Sequence, residues 1–286
     1  MTAIALPTHR IHRFMSRPWL DTVVVAIIAV LVLMAVFGPL VAPHDPYRSD
    51  PALRLLGPSS DYWLGTDEEG RDVLSRLLVG ARPTLLSALV VVAVSTVIGI
   101  LVASVAALGG RWVDEVLMRA CDILLSLPGL MLALAVATAL GSGLTGAIIA
   151  LIVAMFPATA RLARGTILRT LTAGYVEAAR VQGSSKLALM LRHVLPNSLD
   201  EVLINATLQI GGVTLIMSGL SFIGVGAQPP SAEWGAMAST AARYVTVNWP
   251  AAILPGLLIT VSVVAFGLLG DMLQIRRDPT LRKGLR

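Results

Sequence analysis

Five stretches of this 286-residue chain run for twenty residues or more without a charged side chain: 22–42, 84–108, 123–160, 202–225 and 251–270. Crossing a hydrocarbon core about 30 Å thick takes about 20 apolar residues as a helix, and lipid offers no partner for exposed backbone groups, so runs of this kind fold as membrane-spanning helices. The third run is too long for one crossing, and Gly141-Ser142-Gly143-Leu144-Thr145-Gly146 at its middle is a turn-forming cluster. It divides into two, predicting an all-α polytopic membrane protein of six transmembrane helices, at about 20–42, 84–108, 121–140, 145–161, 202–225 and 251–270.

The composition agrees: 56% of residues are hydrophobic and 14% charged, where soluble domains carry about 25% charged residues. A lone cysteine, Cys121, excludes an internal disulfide and a cysteine-based zinc site. Arg10, Arg13 and Arg17 precede the first run, which is too long for the apolar core of a signal peptide and reads as an uncleaved anchor. With six spans both termini share a side. That side holds 16 of the 22 Lys and Arg residues, six of them in the loop 161–201, so the positive-inside rule places both tails and this loop in the cytoplasm. The net charge of +5 is therefore a topology signal, and nucleic acid leaves the partner list.

Segment 43–83 carries seven of the 17 acidic residues and starts with Pro43, Pro46, Pro51 and Pro58, which marks an external excursion. Within it Glu69 to Arg82 reads as an amphipathic helix along the outer interface, with Val73, Leu74, Leu77 and Leu78 on one face and Arg71, Asp72, Ser75, Arg76 and Arg82 largely on the other.

No G-x(4)-GK[ST] loop occurs, so the chain itself carries no ATP-hydrolysing motif. His9, His12, His44 and His193 all lie outside the apolar runs, no metal-ligand spacing is present, and a membrane enzyme lacks its histidine at depth. Asp21, Asp122 and Asp271 sit at span ends, leaving interiors free of the ionisable groups that ion-coupled transport uses. Asn205 and Gln209 share a helix face, with Ser218 and Ser221 further along. They either line a translocation path or hydrogen-bond between helices. Gly99, Ala103, Ala106 and Ala107 form a small-residue stripe suited to close helix packing.

The loop 172–197 parses as two short helices. The first spans about Tyr175 to Val181 and ends at Gly183 in a left-handed conformation; Ser184 or Ser185 caps a second from Lys186 to about Val194, which Pro196 stops. Ala178 and Ala179 offer little bulk, so a partner surface can approach closely.

Glu177-Ala178-Ala179, Gly183 four residues on, and then Leu195-Pro196 resemble the EAA signature of the membrane subunits of ATP-binding-cassette (ABC) importers, ahead of the penultimate span. Trp63-Leu64-Gly65-Thr66-Asp67-Glu68-Glu69-Gly70-Arg71-Asp72-Val73-Leu74-Ser75-Arg76, Leu124-Leu125-Ser126-Leu127-Pro128, Ser221-Phe222-Ile223-Gly224, Glu233-Trp234-Gly235 and Leu269-Gly270-Asp271 narrow the resemblance to the C-type permeases of dipeptide, oligopeptide and nickel importers. The resemblance implies a type I importer permease fold with an N-terminal unit 1–80, a transmembrane domain 81–271 and a tail 272–286. It implies that Glu177, Ala178, Ala179, Gly183, Leu195 and Pro196 couple to an ATPase, and that Gly65, Thr66, Asp67, Gly70, Arg71 and Asp72 form an external family motif. The expected partners are a second homologous permease, two ATPase subunits or one fused ATPase that bind ATP and Mg²⁺, an extracytoplasmic solute-binding protein and the bilayer. The expected cargo is a short peptide, with nickel as the alternative.

Overall fold

The computed structural model describes residues 18–277; Arg10, Arg13, Arg17, His9, His12 and the residues from Asp278 onward lie outside them. Among the described residues the chain is helical with no strand beyond an isolated bridge between Thr66 and Asp72. The helices are α1 (Pro18–Val41), α2 (Val73–Leu108), α3 (Gly110–Leu125), α4 (Gly129–Leu140), α5 (Leu144–Leu171), α6 (Gly174–Val181), α7 (Lys186–Leu189), α8 (Leu195–Phe222), α9 (Trp234–Ala241) and α10 (Trp249–Arg277). Five helical stretches are long and apolar enough to cross a membrane: α1, α2, α5, α10 and the continuous stretch Lys186–Phe222. The α3–α4 pair passes the same test together but is bent by 90°, and counts as a sixth if the pair is one span.

That bend departs from the straight span expected over 121–140. Pro128 lacks an amide proton and pushes Leu127 out of the helical region, so the helix breaks after Leu125. The expected division at Gly141 and Gly143 is present, and both residues have positive φ, 92° and 150°.

The expected interfacial helix over 69–82 is absent. Instead α2 runs unbroken for 36 residues, about 54 Å at 1.5 Å per residue. Val73, Leu77, Ala81 and Leu85 pack with Trp234, Met237 and Ile259 in the core at this end of the bundle. Arg71, Asp72, Ser75 and Arg76, assigned to a solvated face, are buried as well. The amphipathic pattern is real, but its polar side, apart from exposed Arg82, faces other polypeptide rather than water.

Pro196 does not stop the second loop helix. Met190–Val194 is a π-helical turn in which the Leu195 amide donates to the Met190 carbonyl, and α8 follows directly. Proline in a regular helix clashes with the carbonyl four residues back. A wider turn there relieves the clash, so α7 and α8 form one continuous rod. The ends of α5 and α10, at Leu171 and Arg277, also lie past the apolar runs because charged residues carry the helices beyond the hydrocarbon.

Two further cores stack along the bundle. The middle one joins Ala88, Val91 and Val92 of α2 to Ala147 and Leu151 of α5 and Val213, Met217 and Leu220 of α8. The third, at the opposite end from Trp234, gathers Ala103, Ala163, Ile167, Val176, Ala179, Met190, Val194 and Val202. The small-residue stripe packs as expected: a methyl on Gly99 would lie 2.8 Å from Thr159 Cβ and 2.9 Å from the Ala160 amide.

Candidate functional site: the loop 172–197 and the cap over α2

At one end of the bundle the loop 172–197 sits on the third core. In α6, Val176 is fully buried and Ala179 is 9% exposed, both inside that core. The opposite face presents Glu177, Ala178, Arg180 and Val181, the last 81% exposed. The two alanines therefore divide: Ala178 is available to a partner, whereas Ala179 lets α6 lie close on the bundle. Gly183 has φ +87°, and its amide donates to Arg180. The Ser185 hydroxyl accepts from the Ala188 amide and caps α7. Arg180 Nη1 donates to Glu177 Oε2 at 2.9 Å. Leu195 is half-buried and Pro196 exposed at the start of α8. The same loop also exposes the large apolar side chains Tyr175, Val181, Leu187 and Leu191.

At the other end, residues 43–72 form a cap tied to α2 by a charge network. The Asp67 carboxylate accepts from the amides of Glu69 and Arg71, both at 2.9 Å, and from Arg71 Nε at 2.7 Å, and lies 3.3 Å from Arg76 Nε. Arg71, 2% exposed, also pairs with Glu69 at 2.9 Å and Glu68 at 3.6 Å. Asp72 caps α2, accepting from the Ser75 amide at 3.0 Å. The Thr66 hydroxyl accepts from Leu56 and donates to the Leu53 carbonyl. Gly65 and Gly70 have φ +75° and +76°, and a side chain on Gly70 would strike the Asp50 carbonyl. All six residues of the external motif therefore build the cap.

The network extends to residues whose role the sequence did not disclose. Arg76 donates to the carbonyls of Pro46, Pro230 and Ser231, pinning the segment after α8. Glu233, fully buried, caps α9 through the Ala236 amide and accepts from the hydroxyls of Thr84 and Ser218, both at 3.3 Å. Trp234 donates its indole N–H to the Leu77 carbonyl at 2.9 Å. Asn248 donates to the Thr66 carbonyl at 2.7 Å. Arg76, Glu233 and Trp234 lay within recognisable motifs, whereas nothing in the sequence marked Asn248.

The four neutral polar residues of α8 separate into pairs. Ser218 is buried against Glu233, and the Ser221 hydroxyl accepts from the Ala227 amide. Asn205 and Gln209 stay half-buried, with the Gln209 amide donating to Asn205. Asn205 opens on a cleft of about 480 Å³ shared with Asp200, Glu201, Gln274 and Arg277. Angular spacing explains the split, since nine residues separate Gln209 from Ser218 and place them on opposite faces at 100° per residue.

Comparison with known proteins fits this architecture. Residues 81–283 match the family described as binding-protein-dependent transport system inner membrane component, and residues 22–58 match the N-terminal transmembrane domain of oligopeptide transport permease C. A probable D,D-dipeptide transport system permease protein of Escherichia coli (strain K12) is 44% identical over 253 residues, covering 88% of this chain and 85% of the relative. A di/tripeptide transport system permease protein of Pseudomonas aeruginosa (strain UCBPP-PA14) is 40% identical over 258 residues, covering 88% and 85%. A glutathione transport system permease protein of Escherichia coli O6:K15:H31 (strain 536 / UPEC) is 36% identical over 280 residues, covering 98% and 92%. Among solved structures, an amino acid ABC transporter superposes with a TM-score of 0.56 at 17% identity, covering 70% of this chain and 94% of that one. The methionine ABC transporter MetNI in an inward-facing form gives 0.55 at 21%, covering 73% and 96%. At those identities the likeness is one of fold, the ABC importer permease fold. The helical bundle, the EAA loop and the WLGTD cap therefore belong together: this chain is a member of the binding-protein-dependent transport system inner membrane component family, of the C-type peptide permease branch.

Proposed function

We propose that the chain is half of the translocation pathway of an ATP-driven importer of di- or oligopeptides, and that the loop 172–197 couples it to an ATPase. The observation that carries this reading is the exposed surface of that loop, on which Tyr175, Val181, Leu187 and Leu191 lie exposed along with the Glu177–Arg180 pair. A surface that mixes exposed apolar side chains with a charge pair fits a groove on a soluble subunit. Because Val176 and Ala179 of α6 belong to one buried cluster with Ala103 of α2, Ala163 and Ile167 of α5 and Val202 of α8, a push on its outer face is passed into the packing of three spans.

ATP and Mg²⁺ then bind in partner subunits, two ATPases or one fused chain, since this sequence lacks the phosphate-binding loop. The second half of the pathway comes from a homologous permease, and a solute-binding protein delivers substrate to the 43–72 end. The loop 172–197 lies in the cytoplasm of a bacterial cell with both termini, and the path runs beside Asn205 and Gln209, whose uncharged groups hydrate a peptide without retaining it. The relatives named for dipeptides, tripeptides and glutathione favour peptide cargo over nickel.

Reconstituting the importer with Glu177→Ala and with Gly183→Val tests the coupling role. ATP hydrolysis persisting without transport, or loss of the ATPase on purification, is the expected result. Wild-type transport in both variants overturns the assignment. Omitting the ATPase subunits should abolish uptake, and uptake driven by an ion gradient alone would contradict ATP drive.

A further inference from the structure

At the 43–72 end, Arg82 stands two residues before the charge-free stretch of α2, where the helix passes from polar surroundings into hydrocarbon. It is exposed and has no ion pair or hydrogen-bond partner among the described residues, unlike Arg76 on the same helix and Arg71 just before it. It also lines two adjoining spaces, one of mixed polar and apolar lining and one apolar. One, of about 630 Å³, is walled by His44, Asp45, Tyr47 and Pro83. The other, of about 540 Å³, is an apolar groove between α1, α2, α8 and α10, walled by Val32, Val36, Leu86, Leu89, Ile210 and Phe266. From Arg82 the groove follows α2 inward to Leu89, about 10 Å along the helix axis.

We propose that an ethanolamine-type glycerophospholipid occupies this pair of spaces, its phosphodiester on Arg82, its ammonium towards Asp45 and one acyl chain in the groove. A guanidinium presents a planar fork that matches phosphate oxygens and carries its charge at the membrane boundary at little cost. The Asp45 carboxylate accepts a hydrogen bond from the Tyr47 amide at 2.9 Å and forms no ion pair among the described residues, so it is available to a second, positive group. Free phosphate would use Arg82 but leave the apolar groove empty. A hydrophobic helix from a neighbouring protein would fill the groove but offer Arg82 no anion. A zwitterionic amphiphile satisfies the cation, the carboxylate and the groove together.

The test uses the purified, delipidated importer complex, titrated in detergent with palmitoyl-oleoyl phosphatidylethanolamine or phosphatidylglycerol while native mass spectrometry counts bound lipid. The wild type should bind phosphatidylethanolamine at lower concentration than phosphatidylglycerol. Arg82→Ala should raise the half-saturating concentration about tenfold. Asp45→Asn should remove the preference between the two lipids, and Leu89→Trp should block the groove with both charges left in place. Arg82, Asp45 and Leu89 are all exposed, so the variants keep the buried packing; Leu101→Trp, at another exposed position of α2, should change nothing. The proposal is overturned if Arg82→Ala and Leu89→Trp bind as the wild type does. It is equally overturned if the wild type shows no headgroup preference, or if a photo-cross-linker at Leu86 captures the partner permease instead of lipid.

Discussion

Arg71 is a buried cation facing the carboxylates of Asp67, Glu68 and Glu69. Removing it leaves the buried Asp67 with Arg76 alone and the largely buried Glu68 without an ion-pair partner among the described residues, and breaking a buried pair in this way costs about 3–5 kcal/mol. Arg71→Ala should therefore lower the unfolding temperature of the purified chain markedly, whereas Arg48→Ala, at an exposed position of the same segment, should leave it unchanged; equal melting curves for the two would contradict the structural role of the cap. The residues of this network were visible in the sequence as a motif, but their burial was not. Charged side chains are rarely buried, so periodicity assigns Arg71 and Arg76 to a solvated face, and only the cluster of carboxylates in space reverses that. Ser218 has the same history: Glu233, fifteen residues away in sequence, accepts its hydroxyl, and the face that contacts Glu233 is not the face carrying Asn205.

Helices were legible wherever apolar length or a glycine decided the matter and illegible at two prolines. The Gly141–Gly143 turn and the Gly183 break follow from residues that adopt positive φ readily. Two prolines behaved oppositely: Pro128 breaks a span, while Pro196 sits at the start of α8 because the preceding π turn accommodates its ring. Nothing local to either proline separates these outcomes. The difference lies in packing, since Met190 and Val194 of the π turn are buried in the third core, whereas the residues beside Pro128 are exposed. The α2–α5 contact offers a direct test of element packing. Gly99→Leu introduces a side chain where even a methyl group meets Thr159 and Ala160 within 3 Å. Overpacking of this kind costs about 1–3 kcal/mol, and both thermal stability and the yield of folded protein should fall. A fully stable Gly99→Leu variant would show that α2 and α5 lie further apart than described here.

For the whole molecule, the basic residues that set the expected orientation also connect the spans. At the loop 172–197 end, Asp21 pairs with Arg276, Asp200 with Arg277, Glu201 with Arg169, Asp122 with Arg161 and Asp114 with Arg164, linking α1, α10, α8, α5 and α3 in pairs. The four pairs other than Asp114–Arg164 are exposed and contribute about 0–1 kcal/mol each, so they align helix ends more than they stabilise the bundle; Arg164 holds Asp114 through two hydrogen bonds in a part-buried site. Their arginines still act as fixed positive charge on one membrane face, which is the quantity the positive-inside rule counts. The resulting orientation can be measured with the chain's own chemistry. Cys121 is the lone cysteine and is buried, so a Cys121→Ala background is free of thiols, and Asp61 and Gln182 are exposed at opposite ends of the bundle. In spheroplasts a membrane-impermeant maleimide should label Asp61→Cys at once and Gln182→Cys only after the membrane is opened. The reverse pattern would put the loop 172–197 on the side without ATP and remove the basis for its proposed coupling role, while labelling of both sites in intact spheroplasts would contradict an odd number of crossings between residues 61 and 182.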